Sequence, residues 1–99
     1  MITHVVIFWT DKTNSEGREA LQKGCKELIS RIPGVLEFRF GQPVSSNRGV
    51  VDDSFSLAIS MTFENQKAAE TYQEHSLHKQ FVNEYVKKYV KRFVVYDWS

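Results

Sequence analysis

A chain of 99 residues holds one compact domain and leaves no room for a second. Hydrophobic residues make up 41% and charged residues 25%, the balance of a folded globular domain, and a formal net charge of +1 argues against a dedicated nucleic-acid surface. Cys25 is the single cysteine and has no partner for an internal disulfide, while the opening "MITHVVIFW" has no basic leader pattern and an apolar run too short to cross a membrane. The expectation is one domain over residues 1–99, cytoplasmic, with neither nucleic acid nor a membrane as partner.

"THVVIFW" (residues 3–9) is β-branched and aromatic and predicts a strand. Val5, Ile7 and Trp9 fall on one face; His4, Val6 and Phe8 fall on the other, so both faces need cover. "TNSE" fits a capping box, with Thr13 accepting from helix amides and Glu16 reaching back. Leu21, Cys25, Leu28, Ile29 and Ile32 then recur at helical spacing, predicting an amphipathic helix over 14–31, weakened by Gly17 and Gly24 and ended by "IPG".

"VLEFRFG" (35–41) alternates as a half-buried strand does, and Pro, Ser, Asn and Gly over 43–52 mark a loop. "SFSLAISMTF" (54–63) places Phe55, Leu57, Ile59, Met61 and Phe63 on one face. Its other face is small and weakly polar, which suits close approach of a second sheet. "ENQKAAETYQEH" reads as a short helix. A third helix, from Ser76 to about Lys91, carries His78, Val82, Tyr85 and Tyr89 in one stripe, with Lys87, Lys88, Lys91 and Arg92 opposite in solvent. "FVVYDW" closes the chain as a strand.

The order β-α-β-β-α-β predicts an α+β, ferredoxin-like fold: a four-stranded antiparallel sheet with helices on one face. "VIFW" and "VVYDW" leave the open face too apolar for a monomer, so a two-fold homodimer through the sheet face is expected.

The chemistry concentrates in "TYQEHSLHK" (71–79), with Tyr72, His75 and His78 three residues apart. A neutral imidazole at His78 has a pKa suited to taking a proton from an activated carbon acid, and Tyr72 can hydrogen-bond the enolate oxygen that develops. The plainer alternative makes His78 a satisfied histidine at a helix start and Tyr72 core. His75 and His78 straddle a helix break rather than sharing a face, so no metal site is expected; His75 caps or packs at the junction. His4, alone on an apolar strand face, either is structural or lines a pocket with Ile59, Tyr72, His75 and His78. Cys25 reads as a small hydrophobe.

Taken in order over nearly the whole chain, "THVVIFW", "IPGVLEFRFG", "SFSLAISMTFEN", "TYQEHSLHKQFV" and "VVYDW" resemble the stress-responsive A/B barrel (Dabb) family. The resemblance implies a dimeric α/β barrel with a pocket between sheet and helices in each subunit. Many members of the family have no assigned reaction. One branch, the plant polyketide cyclases, closes a linear polyketide by aldol condensation without cofactor, using a histidine and a tyrosine that match His78 and Tyr72 here, with His4 in support. This chain departs from the family in two places. Ser76 stands where a proline usually follows the histidine, and Cys25 falls near a helix-one tyrosine of the cyclase branch, altering the pocket wall. Haem- and quinol-modifying monooxygenases share the barrel, but no Asn-Trp-His triad of the haem-degrading kind is recognisable, and no cofactor is expected. The resulting expectation is a small homodimer of unassigned activity holding a small apolar or aromatic molecule. The alternative is a polyketide cyclase- or isomerase-like enzyme with His78 as base and Tyr72 as oxyanion partner.

Overall fold

The computed structural model describes residues 1–99. Four strands, β1 (Ile2–Thr10), β2 (Glu37–Gly41), β3 (Leu57–Phe63) and β4 (Val90–Trp98), form one antiparallel sheet in the order β2-β3-β1-β4. Helix α1 (Glu16–Glu27) follows β1, and α2 (Gln66–Glu74) and α3 (Ser76–Phe81) follow β3. A π-helical stretch, Val82–Val86, and a closing turn, α4 (Lys87–Tyr89), continue α3 directly into β4. This is the ferredoxin-like arrangement expected from the order of elements. None of its helices is long and apolar enough to cross a membrane.

The register explains the two faces of the sheet. His4, Val6 and Phe8 pair with Met61, Ile59 and Leu57 and point to the helices. Leu21, Cys25 and Ile29 of the α1 region are fully buried against this face, with Phe63, Tyr72 and Phe81 completing the core. The opposite face carries Val5, Ile7 and Trp9 beside Tyr96, Val94 and Arg92, with Ser60 and Ala58 on the other side.

Several boundaries differ from the sequence reading. The capping box does not form, because Asp11 is nearer to Thr13 than the helix is. The Thr13 amide and hydroxyl donate to Asp11 Oδ1 at 2.9 and 2.8 Å, and Ser15 takes the N-cap position without a side-chain bond to a helix amide. Helix α1 therefore starts at Glu16 and ends at Glu27, and a 3-10 turn (Ile29–Arg31) leads to Pro33 and to Gly34 at φ 91°. That left-handed conformation is the reason a glycine stands there. Strand β3 starts at Leu57 rather than residue 54: Ser54 folds back onto Asp52, and the Ser56 hydroxyl is taken by the Thr10 amide and hydroxyl at 2.9 and 3.0 Å. The third helical run stops at Tyr89, since a register shift between Trp9 and Thr10 brings Val90 into the sheet opposite Thr10.

Gly17 and Gly24 do more than weaken α1. A methyl group at Gly24 would lie 2.9 Å from the Phe81 and Tyr85 rings, and one at Gly17 would lie 2.9 Å from Thr10 Cβ. Both glycines let the helix approach its neighbours closely.

Candidate functional site

The chain break at His75 organises the site. His75 is extended (φ −64°, ψ 142°) between α2 and α3; its amide closes α2 on the Tyr72 carbonyl, and its Nδ1 accepts from the Leu77 amide at 3.0 Å. His75, not Ser76, thus caps α3, and Ser76 becomes the first residue of that helix. The imidazole that caps is committed to the backbone, and it does not line the cleft described next, contrary to the expectation that it would join a ligand-binding set.

Between the helix-facing side of the sheet and the α2–α3 region lies a cleft of 450 Å³. His4, Val6 and Phe8 of β1 and Ile59 of β3 form its floor; Tyr72 and His78 stand on either side of the helix break. Phe81, Val82 and Val86 continue the wall along the helical run, and Phe93 and Val95 of β4 close the remaining side. Four of the five residues expected to line a pocket (His4, Ile59, Tyr72 and His78) therefore share one cavity. Cys25 does not reach it: the thiol is enclosed in the core, so its substitution for an aromatic residue leaves the cleft wall unaltered.

The rings converge tightly. Tyr72 meets His78 edge to face at 4.7 Å between centroids, His4 at 6.1 Å and Phe63 at 5.2 Å. Burial holds the His78 pKa below its ordinary value, the main chain of Gln73 opposes that, and nearby His4 adds to the lowering. His78 is consequently neutral at pH 7, the form able to accept a proton. Burial, reinforced by Cys25, raises the Tyr72 pKa, so this phenol stays protonated and can donate a hydrogen bond. Its hydroxyl makes no hydrogen bond within the protein.

His4 is held from the other side. Its Nδ1 pairs with Asp97 Oδ1, which lies directly across the β1–β4 ladder from it. This partner was not anticipated. The available signal was an acidic residue inside the otherwise apolar "VVYDW", and placing it required the register His4↔Asp97. A carboxylate on Nδ1 fixes ring orientation and leaves Nε2 available on the cleft side. Phe81 was likewise missed: it is 2% exposed and is the core anchor of α3, with Leu77 and Tyr85 packed beside it. The π-helical stretch is the cause, because one extra residue in the turn rotates everything after it. The same rotation brings Lys87 to the rim of the cleft rather than to the solvent side.

No three His, Cys, Asp or Glu side chains converge as a metal-binding group.

The profile of the Stress responsive A/B Barrel Domain family matches residues 2–99. The chain belongs to that family. Among relatives, a stress-response A/B barrel domain-containing protein of Arabidopsis thaliana (At5g22580) is 33% identical over 63 residues, covering 64% of this chain and 56% of the relative. The chain thus matches little more than half the length of that curated relative. Among solved structures, a Dabb family protein with a ferredoxin-like fold from Mesorhizobium loti superposes with a TM-score of 0.81 at 25% identity, covering 99% of this chain and 94% of that one. A dimeric ferredoxin-like protein of unknown function from Thermobifida fusca superposes at 0.79 with 18% identity, covering 99% and 89%. The Dabb assignment and the ferredoxin-like fold therefore agree with the elements read above.

Proposed function

We propose that this Dabb protein binds a small, largely apolar or aromatic molecule in the cleft between its sheet and the α2–α3 region. The observation that carries the reading is the cleft itself. Its 450 Å³ lies within the range of small-molecule sites, and its apolar walls end at a few convergent polar groups, His4, Tyr72 and His78. The test is a titration with a neutral aromatic probe such as 2-naphthol, followed by amide chemical shifts. Shifts at Tyr72, His78 and Val86 are expected, and Val82→Trp, which fills the cavity from its wall, abolishes them while leaving the fold intact. Binding unaffected by Val82→Trp would place the ligand elsewhere and overturn the reading.

A second reading is favoured by one particular pairing. A neutral His78 beside a protonated Tyr72 matches the needs of cofactor-independent enolisation, with the imidazole as base and the phenol as donor to the oxyanion. In that reading the protein is a cyclase or isomerase of linear poly-β-ketones. His78→Ala would then abolish turnover yet retain binding of the aromatic probe.

The reading also includes a homodimer joined through the outer sheet face. Tyr96 and Trp98 stand 59% and 55% exposed on β4. Across the same face the small residues Gly41, Ala58 and Ser60 leave a depression of 320 Å³. A two-fold axis between them would set each copy's aromatics into the other's depression, and the Thermobifida fusca protein of this fold is described as dimeric.

A further inference from the structure

We infer that the cleft selects an amphipathic organic anion, with Lys87 at its rim as the residue that recognises the acidic head. The inference rests on the binding reading above and adds to it the charge of the ligand.

Lys87 is the one permanently charged side chain lining the cleft; no aspartate or glutamate lines it. Neighbouring cations are engaged elsewhere: Lys88 lies over the Tyr89 ring at 5.2 Å from the centroid, and Arg92 lies over the Trp9 ring at 4.2 Å. The molecule's single ion pair joins His4 and Asp97, so Lys87 has no carboxylate of its own. Lys87 owes its position to the π-helical stretch immediately before it. Phe81, Val82 and Val86 separate His78 from Lys87 along the helical run, a span of roughly 13 Å at about 1.5 Å per residue. The cleft therefore offers a long apolar wall with a neutral, aromatic-rich end and a single positive charge. An apolar body with one carboxylate satisfies both, whereas a cationic head would meet unrelieved repulsion.

Three probes with one tail and different heads test this: octanoate, octan-1-ol and octylammonium, titrated calorimetrically into the intact protein at low salt and pH 8. His78 is neutral at that pH, so the imidazole does not contribute charge. Octanoate is expected to bind about fivefold tighter than the alcohol, in the range of a solvent-accessible ion pair, and octylammonium weakest. Lys87→Met should equalise acid and alcohol, and Lys87→Glu should reverse the order. Lys88→Glu, the same change in charge one residue away, should keep it. Added salt should shrink the preference. Lys87 is exposed, so these variants are expected to unfold at the same temperature as the parent. Equal affinity for all three heads in the parent overturns the inference and leaves the cleft reading standing. A preference that survives Lys87→Glu, or that Lys88→Glu removes equally, also overturns it. If no probe binds in the cleft, the binding reading fails and the inference fails with it.

Discussion

Cys25 and Tyr72 show how enclosure sets chemistry at single side chains. The Cys25 thiol is fully buried among Leu21, Ile29 and their neighbours, and burial pushes its pKa from the ordinary 9.0 to about 12. A thiol held this way is a hydrophobe, not a nucleophile. The sign of its contribution to stability follows directly. Above pH 9 the unfolded chain releases this proton and the folded chain keeps it, so the folded state binds more protons and stability falls as pH rises, by up to about 1.4 kcal/mol per pH unit. Tyr72, raised by the same burial, acts in the same direction above its ordinary value of 10.0. Urea midpoints at pH 7, 9.5 and 10.5 should decline steeply for the parent and less steeply for Cys25→Ala. Parallel declines would mean that the thiol ionises freely in the folded protein.

At the scale of elements, α1 meets the α3 run through a glycine. In an exposed helix Gly24→Ala would stabilise by about 1 kcal/mol. Here the new methyl falls 2.9 Å from the rings of Phe81 and Tyr85, both packed in place, and overpacking of that kind costs about 1–3 kcal/mol. The steric term exceeds the propensity term, so Gly24→Ala is expected to lower the melting temperature by several degrees. Phe81 also lines the cleft, and its displacement should weaken the aromatic probe as well. A variant more stable than the parent would show that the two helices separate easily. This contact also marks the limit of what the sequence makes legible. The strand faces could be read because alternation fixes them: His4, Val6 and Phe8 lie inward, as do Leu57, Ile59, Met61 and Phe63. The α1 stripe was equally legible from its spacing. The stripe His78, Val82, Tyr85, Tyr89 was half right, because spacing assumes a uniform α-helix and the π-helical Val82–Val86 breaks that assumption. Lys87 and Phe81 were misjudged for that one reason. Asp97 was beyond reach for another: a carboxylate 93 residues away from His4 becomes its partner only through strand register.

For the whole molecule, the outer sheet face decides whether the protein stands alone. Val5, Ile7, Tyr96 and Trp98 lie in adjacent strands on the side without helices, and a domain of 99 residues has limited means to leave such a face in water. The face is also complementary to itself, with bulky aromatics on β4 and the small residues Gly41, Ala58 and Ser60 toward β2. Tyr96→Glu places a charge in the centre of that contact, where burial without a partner costs several kcal/mol per copy, twice over in a two-fold dimer. The side chain is exposed in the single chain, so the fold of each subunit should survive. Light scattering coupled to gel filtration should therefore give twice the 11.5 kDa chain mass for the parent and the single chain mass for Tyr96→Glu, with unchanged circular dichroism. Glu84→Lys, on the π-helical stretch away from the sheet, should remain dimeric and control for the change of charge. A parent that elutes as a monomer, or a Tyr96→Glu variant that stays dimeric, would move the interface off this face. The cleft lies on the opposite side of the sheet, so a monomeric Tyr96→Glu that still binds 2-naphthol would show that each subunit carries a complete site.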